Sequence, residues 1–436
     1  MNHLALPWGT EKISIALPDG WRTANVLEPS PLPGVADPAE AIRCSLHRPI
    51  GSAPLADLAR PGMKIAIVID DASRPTPIAA ILPGVLAELD QAGARRENIT
   101  LVTALGVHRS MNQSEIEQRA GALNLIGLRC ENHACLDPDR LVTLGTTRRG
   151  TLVSINKTVA QSDLVISIGC IEPHLIASFG GGYKNLVPGV AGHATIAHNH
   201  ALNCRADTFN MVGQPIERNP MRLDLEEAAA MLKPPVFIVN AVLNSQQQIV
   251  GVVSGDPIAA HREGARLSQS IYSVKIASPA DVVIADSHPM DRDLRQGSKA
   301  LANTIRAVRR GGVQIILMRA EEGLGEFGLA DRKLPVGRSG LQRLSPLLVR
   351  LVPRLKIKGL ADDERFFLYF ALQAMRHGTL LVYAPTVPIE KRHGLPFVEF
   401  VDSPQAAIEQ AQRLINQPID ALIFPYGGVT YPSGPD

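Results

Sequence analysis

The sequence predicts an α/β protein of two domains, the C-terminal one a Rossmann-like βαβ sheet. Three observations predict it. Short apolar, β-branched runs recur along the chain, as strands buried on both faces require. Stretches of helical period lie between them. The length, 436 residues, exceeds the size at which one hydrophobic core usually keeps growing.

The first sixty residues read as Pro-rich and irregular, with a short strand at Lys12–Leu17. From Met63 the punctuation sharpens. Lys64–Ile69 (KIAIVI) reads as a fully buried strand and runs into Asp70-Asp71-Ala72-Ser73-Arg74-Pro75, then into an apolar-periodic helix ending near Gly93. Asn98–Ala104 reads as a second strand, ending at Leu105-Gly106-Val107-His108-Arg109. Asp163–Cys170 reads as a third, followed at once by Ile171-Glu172-Pro173-His174. Polar groups therefore gather where strands end, the edge at which open α/β sheets bind ligands. Farther on, a helix at Pro257–Tyr272 gives way to Ser278-Pro279. Strands follow at Asp281–Ala285, Val313–Met318, Thr379–Tyr383 and Ala421–Phe424, with helices at Leu294–Arg309 and Ser403–Leu414. A boundary near residue 275 divides the chain into domains 1–275 and 276–436.

Composition narrows the function by exclusion. Hydrophobic residues are 45% and charged residues 20%, with a balanced net charge of +2 and no Lys/Arg run, so neither nucleic acid nor an anionic membrane is an expected partner. Five cysteines form no CxxC and leave one over in any pairing. With no leader pattern and no apolar stretch of membrane-spanning length, the expectation is a reduced, cytoplasmic protein.

The stretch 172–200, EPHLIASFGGGYKNLVPGVAGHATIAHNH, concentrates the chemistry. It holds four of the twelve histidines (His174, His193, His198, His200), three consecutive glycines (180–182) and Lys184. Three glycines permit positive φ and let backbone N–H groups approach an anion, and a lysine two residues on suggests a phosphate cradle. The spacing is not that of a Walker loop, since Asn185 follows Lys184, and a flexible loop accounts for the glycines equally well. A lone histidine is more often structural than a ligand. His198-x-His200 on a strand face could bind a metal, but it lacks a third ligand at zinc spacing; imidazole also suits nickel and copper.

In order, DDASRPTP (70–77), TALGVHR (103–109), EPHLIASFGGGYKNLVPG (172–189), TIAHNH (195–200) and DRDLRQGSKAL (291–301) together resemble the nickel-dependent lactate racemase family, whose members act on 2-hydroxy acids. Five blocks in order, spanning residues 70 to 301, are far more specific than any one of them. The resemblance implies a nickel-pincer nucleotide (pyridinium-3,5-bisthiocarboxylic acid mononucleotide nickel) joined to Lys184 through a thioamide. It implies His200 as the protein ligand that completes the square-planar nickel site. It implies His108 and His174 as paired acid/base groups, and Asp71 and Arg74 as pocket residues. Gln296 and Lys299 would contact substrate from the second domain, while Ser73, Gly181 and Gly182 would line the cofactor. Enzymes of cofactor biosynthesis would be the source of the nucleotide. Gly180 stands where the family often has Ser, and Ser73 where Thr is common. Arg295 replaces an aromatic residue, so the expected substrate is longer or more polar than lactate: malate, hydroxyglutarate or a sugar acid.

The chemistry explains the residue types. Deprotonating C2 of a 2-hydroxy carboxylate would build a dianion, whereas removing hydride leaves a neutral ketone. Side chains cannot accept hydride, so a cofactor must, and the protein supplies position and electrostatics. An imidazole with an ordinary pKa of about 6.5 can take the hydroxyl proton, and two of them would serve the two faces. Arg74 can bind a carboxylate bidentately and Lys299 offers a point charge. Gln296 and Lys299, three apart on a helix, share a face. Asp71 orients a histidine or arginine. Closing the domains would exclude water, so the active site is expected in the inter-domain cleft. The alternatives are an NAD-linked hydroxy-acid dehydrogenase, which lacks a GxGxxG after a strand, and a non-enzymatic nickel-binding protein built on His193, His198 and His200.

Overall fold

A computed structural model describes residues 2–325, 336–354, 362–392, 394–415 and 418–434. The chain divides into two compact units, one of Pro31–Leu202 with Pro215–Ile271, the other of Met1–Ser30, Asn203–Gln214 and Tyr272–Asp436.

The first unit is built on a six-stranded sheet in the order Ile249–Gly255, Val236–Leu243, Leu164–Cys170, Ile65–Asp70, Ile99–Ala104, Arg129–Asn132. All neighbours pair in parallel except the outermost hairpin of Val236–Leu243 with Ile249–Gly255. Every residue of Ile65–Asp70 and of Leu164–Cys170 is buried, which is why both read as mostly apolar runs rather than alternations. The helix Ile78–Gln91 buries Ile78, Ile81, Leu82, Val85, Leu86 and Leu89, the spacing of one helical face. That face packs into a core shared with Ile65, Ile67, Ile69, Leu101, Ile166 and Ile168.

The second unit carries a six-stranded sheet that is parallel throughout, in the order Glu399–Phe400, Thr379–Tyr383, Val308–Leu317, Ala280–Asp286, Ile419–Phe424, Trp21–Val26. From Ala280–Asp286 the chain steps outward in one direction and then returns to the other side with Ile419–Phe424. This is the doubly wound arrangement expected of the C-terminal sequence. Val282, Ile284, Val313, Ile315 and Leu317 pack against Ala407, Ile408 and Ala411 of the helix Pro404–Leu414.

Two readings of the sequence differ from this architecture. The first sixty residues are ordered. Asn2–Trp8 forms a hairpin with Glu11–Leu17, and Trp21–Val26 adds the edge strand beside Ile419–Phe424. Leu6, Ile15, Leu17 and Trp21 join the core of the second unit, so residues 1–30 group with the C-terminal sheet. The helix Pro38–His47 begins with Asp37 accepting from the Glu40 N–H and with proline in its first turn, a start signal that the proline content obscured. The helix from Leu294 stops at Thr304 instead of 309, and the next strand starts at Val308. The buried Gln314 amide donates to the Leu301 carbonyl and the Thr304 hydroxyl, satisfying the helix end early.

All five cysteines are free thiols. Among the described residues, no helix is long and apolar enough to cross a membrane.

Deleting residues 1–30 removes four core side chains and uncovers the edge of Ile419–Phe424. Limited proteolysis of the truncated chain should show cleavage within 280–317 under conditions in which the full chain is resistant there.

Candidate active site

Three adjacent strands of the first unit end side by side, and each delivers a polar residue just past its carboxyl end: Asp71 after Ile65–Asp70, His108 after Ile99–Ala104, His174 after Leu164–Cys170. Asp70 is anchored beneath them by Thr76 Oγ1 at 2.5 Å and by an ion pair with Arg119. The turn at 105–108 closes with the His108 N–H on the Leu105 carbonyl at 2.9 Å. It is tied to the lysine loop by the Gly106 N–H, which donates to Gly189 O at 2.8 Å.

Asp71 and His108 share a short polar contact, Oδ2 to Nδ1 at 2.5 Å. The other oxygen of Asp71 accepts the Ser73 N–H at 2.9 Å and the Ser73 hydroxyl at 2.5 Å. Burial alone would raise the Asp71 carboxyl. The His108 hydrogen bond and charge, the Ser73 bond and Arg74 outweigh it and hold the group well below the usual carboxylate range. The Ser73 hydroxyl, expected to line a cofactor, therefore spends its proton on Asp71. Arg74 Nη1 donates to Glu172 Oε1 at 2.9 Å, so a substrate carboxylate at Arg74 would share the guanidinium with Glu172. Glu172 was not singled out from the sequence, and only its place two residues past a buried strand could have marked it.

His174 lies in the short antiparallel pair Pro173–His174 with Ser178–Phe179. Its Nδ1 accepts the backbone N–H of Ile176 at 3.2 Å and of Ala177 at 3.1 Å.

The glycines serve packing. Gly181 and Gly182 have φ of +72° and +62°, and a Cβ on Gly182 would stand 2.5 Å from Arg222 Nη2. Beneath the loop, buried Arg222 Nη1 donates to Phe179 O and Gly181 O, and His261 Nε2 donates to Gly180 O at 2.9 Å. Asn240 Oδ1 accepts the Gly182 N–H at 2.7 Å, and the Gly180 N–H goes to Glu172 O at 2.7 Å. Those N–H groups turn inward, so the loop is a pinned shape and not the open ring of donors that three glycines suggest. Arg222 pairs with Glu226, which Arg262 also grips with both terminal nitrogens at 2.8 Å. Burial lowers the Arg222 guanidinium to about 10 against the pull of Glu226, and it stays cationic at neutral pH. Burial and the two guanidinium charges push His261 far down, leaving it neutral. Arg222, Glu226, Asn240, His261 and Arg262 come from 40 to 80 residues downstream, and no local pattern announces them.

The platform fixes Lys184. The turn Gly182–Asn185 is held by the Lys184 N–H on Gly181 O, and Asn185 Nδ2 donates to Ile168 O at 2.8 Å. Lys184 thus stands over the carboxyl end of Leu164–Cys170.

The histidines 193, 198 and 200 occupy the helix His193–Ala201, not a strand. Two residues apart on a helix is about 200° of rotation, so His198 and His200 face opposite ways. The His198 ring shares a 2.8 Å hydrogen bond with Thr151 Oγ1, while Asn199 Nδ2 donates to Asp224 and the Met221 carbonyl, securing the last turn that carries His200. Among the described residues no three His, Cys, Asp or Glu side chains gather to hold a metal ion. A nickel site of His193, His198 and His200 is therefore not formed.

In the second unit, Arg295, Gln296 and Lys299 fall in the first two turns of the helix Leu294–Thr304, whose N-cap Asp293 accepts the Gln296 N–H at 2.8 Å. Gln296 and Lys299 share a face, as their spacing predicts. Lys299 Nζ approaches Met290 Sδ at 3.6 Å. The preceding loop brings Asp286, His288 and Asp291 to the carboxyl end of Ala280–Asp286, a polar edge that was not singled out from the sequence. Burial and the charge of Asp291 push the Asp286 carboxyl well above its usual range, against a bond from the His288 N–H.

Residues 8–211 match the family model described as the lactate racemase N-terminal domain. A lactate racemase of Thermoanaerobacterium thermosaccharolyticum is 30% identical over 332 residues, 75% of this chain and 77% of that protein. One of Lactiplantibacillus plantarum is 32% identical over 295 residues, 66% and 68% of the two chains. The solved structure of the lactate racemase apoprotein from Thermoanaerobacterium thermosaccharolyticum matches with a TM-score of 0.86 at 25% identity, covering 99% of this chain and 100% of that one. A Thermotoga maritima protein at 16% identity and a TM-score of 0.67, covering 91% and 98%, shares the fold.

Two outcomes follow for stability. Gly182→Ala should lower the unfolding free energy by about 1–3 kcal/mol in denaturant titration, because a Cβ meets Arg222 and the positive φ is strained. Asp71 has a folded value below its unfolded one, so its contribution is complete above the ordinary carboxylate range and is lost progressively as pH falls from that range toward the lower folded value. Between about pH 6 and pH 3 the melting temperature of the native protein should therefore drop further than that of Asp71→Asn.

Proposed function

The chain belongs to the lactate racemase family and is an isomerase; on that premise we propose that it inverts C2 of a 2-hydroxy carboxylic acid by proton-coupled hydride transfer through a 2-keto acid. The observation that carries the reading is the Asp71–His108 pair at the same strand edge as His174 and the Lys184 turn.

The residues fit the cofactor that the family resemblance implies. Lys184 offers a primary amine on a turn whose backbone is pinned on both sides, since its N–H bonds Gly181 O and its carbonyl accepts the Gly189 N–H. His200 offers one imidazole on the last turn of its helix. One amine and one imidazole suit a prebuilt group that brings its own sulfur and carbon donors better than they suit a bare ion. When bound, the nickel-pincer nucleotide supplies the hydride acceptor. Its synthesis falls to separate enzymes.

The chain's own groups do the rest. His108 takes the hydroxyl proton at Nε2, and the Asp71 carboxylate stabilises the imidazolium that results. His174 handles the oxygen of the opposite enantiomer. Arg74, with its charge balanced by Glu172, is a carboxylate anchor, and the family resemblance adds Lys299 and Gln296 as substrate contacts. Arg295 is a second anchor for a longer or polar-tailed acid, so malate, hydroxyglutarate or a sugar acid is the substrate class in place of lactate.

Intact mass spectrometry of protein co-expressed with the cofactor pathway should show a nucleotide-sized adduct mapping to Lys184, absent in Lys184→Ala together with all turnover. His108→Ala should keep the adduct and lose on the order of 10²–10⁴-fold in rate. Loaded enzyme should turn over malate or gluconate faster than lactate. An enzyme that racemises lactate alone, or that carries no adduct while active, contradicts the reading.

A further inference from the structure

His108 and His174 meet the protein through the same ring atom in opposite ways. At His108, Nδ1 faces Asp71 Oδ2 at 2.5 Å, and that carboxyl is held ionised. A carboxylate can only accept, so Nδ1 carries a hydrogen and the neutral ring leaves Nε2 bare. At His174, Nδ1 faces two backbone donors, the N–H groups of Ile176 and Ala177. A hydrogen on that nitrogen would point at two others, so the neutral ring carries its proton on Nε2.

We infer that the two histidines are held in opposite tautomers, His108 by Asp71 and His174 by the amides of Ile176 and Ala177, so that the protein at rest offers one proton acceptor and one proton donor. Asp71 and the 176–177 turn are positioning groups, acting through the rings. The catalytic meaning of this asymmetry rests on the racemase reading above; the tautomers themselves do not.

The consequence is an unequal start for the two substrate enantiomers. A hydroxyl beside His108 passes its proton to Nε2 directly: the O–H bond breaks, the N–H bond forms, and the charge appears opposite Asp71. A hydroxyl oxygen beside His174 meets an N–H and can only be hydrogen-bonded. For His174 to accept a proton at Nε2, the ring must first carry its hydrogen on Nδ1, which costs both backbone bonds. Two adjacent features of one strand edge therefore prepare the same side chain for different work.

Asp71→Asn separates this from a structural role. Asp71 Oδ1 already accepts two donors from Ser73, so the amide oxygen of Asn stays with them and its NH2 turns toward His108. Nδ1 must then accept, and the His108 proton moves to Nε2, the same reversal that an Asp→Asn change produces in a Ser-His-Asp triad.

The test is two-bond 1H–15N correlation on the full-length, histidine-labelled protein purified without cofactor, at mildly alkaline pH where ordinary imidazoles are neutral. His108→Gln and His174→Gln assign the two rings. The native protein should show His108 protonated on Nδ1 and His174 on Nε2. In Asp71→Asn, His108 should change to the Nε2–H pattern with His174 unchanged, and loaded enzyme should lose on the order of 10²–10⁴-fold in rate. A native His108 bearing its proton on Nε2, a native His174 bearing it on Nδ1, or an Asp71→Asn protein with His108 unmoved would overturn the inference. The expected tautomers in a loaded protein that racemises no hydroxy acid would leave this inference standing and contradict the function proposed above.

Discussion

Ile65–Asp70 lies between Ile99–Ala104 and Leu164–Cys170, and parallel pairing in register puts the three carboxyl ends at one edge. Strands about 4.8 Å apart then hold Asp71, His108 and His174 on neighbouring loops without any contact between those loops being needed to choose the spacing. Burial enforces the register. A one-residue slip of a strand buried on both faces would exchange its two apolar sides and carry the terminal polar residue into the core. The site is thus a by-product of where a fully apolar run has to stop.

The loop that carries Lys184 is held by a different device, a buried polar cluster. Arg222, Glu226, Arg262 and His261 form a buried network in which Arg222 Nη1 and His261 Nε2 are directed at the carbonyls of Phe179, Gly180 and Gly181. A network of this kind adds little net stability, yet removing one charged member costs about 3–5 kcal/mol because its partner is left buried and uncompensated. Its service is to fix one loop conformation on which an amine can be presented reproducibly. Glycine at 181 and 182 is the condition for that close approach.

Legibility followed the range of the interactions. Strands such as Ile65–Asp70 and Leu164–Cys170 could be read from composition because burial on both faces leaves one solution for the side chains. The edge they end on was legible for the same reason, and with it His108 and His174. The hairpin Asn2–Trp8 with Glu11–Leu17 was read only in its second half, since Pro7 and Trp8 interrupt the apolar alternation. The glycines at 180–182 were visible as unusual, but their role was not, because Arg222, Asn240 and His261 reach them only through the fold. The same holds for Arg74, whose partner Glu172 is 98 residues away. The helix that carries His198 and His200 shows the opposite case. Thr195 donates to Leu152 O and accepts the Ser154 N–H, and those tertiary bonds hold a β-branched segment helical against a local pattern that also suited a strand.

The central claim is that hydrogen leaves and returns to C2 as hydride, kept from solvent. The most direct measurement follows a C2-deuterated 2-hydroxy acid through many turnovers of the loaded enzyme in ordinary water, with the label read by mass spectrometry in both stereoisomers. The account predicts that deuterium stays at C2 in substrate and product alike. Loss of the label to solvent in step with inversion would mean that C2 is deprotonated, and would contradict it.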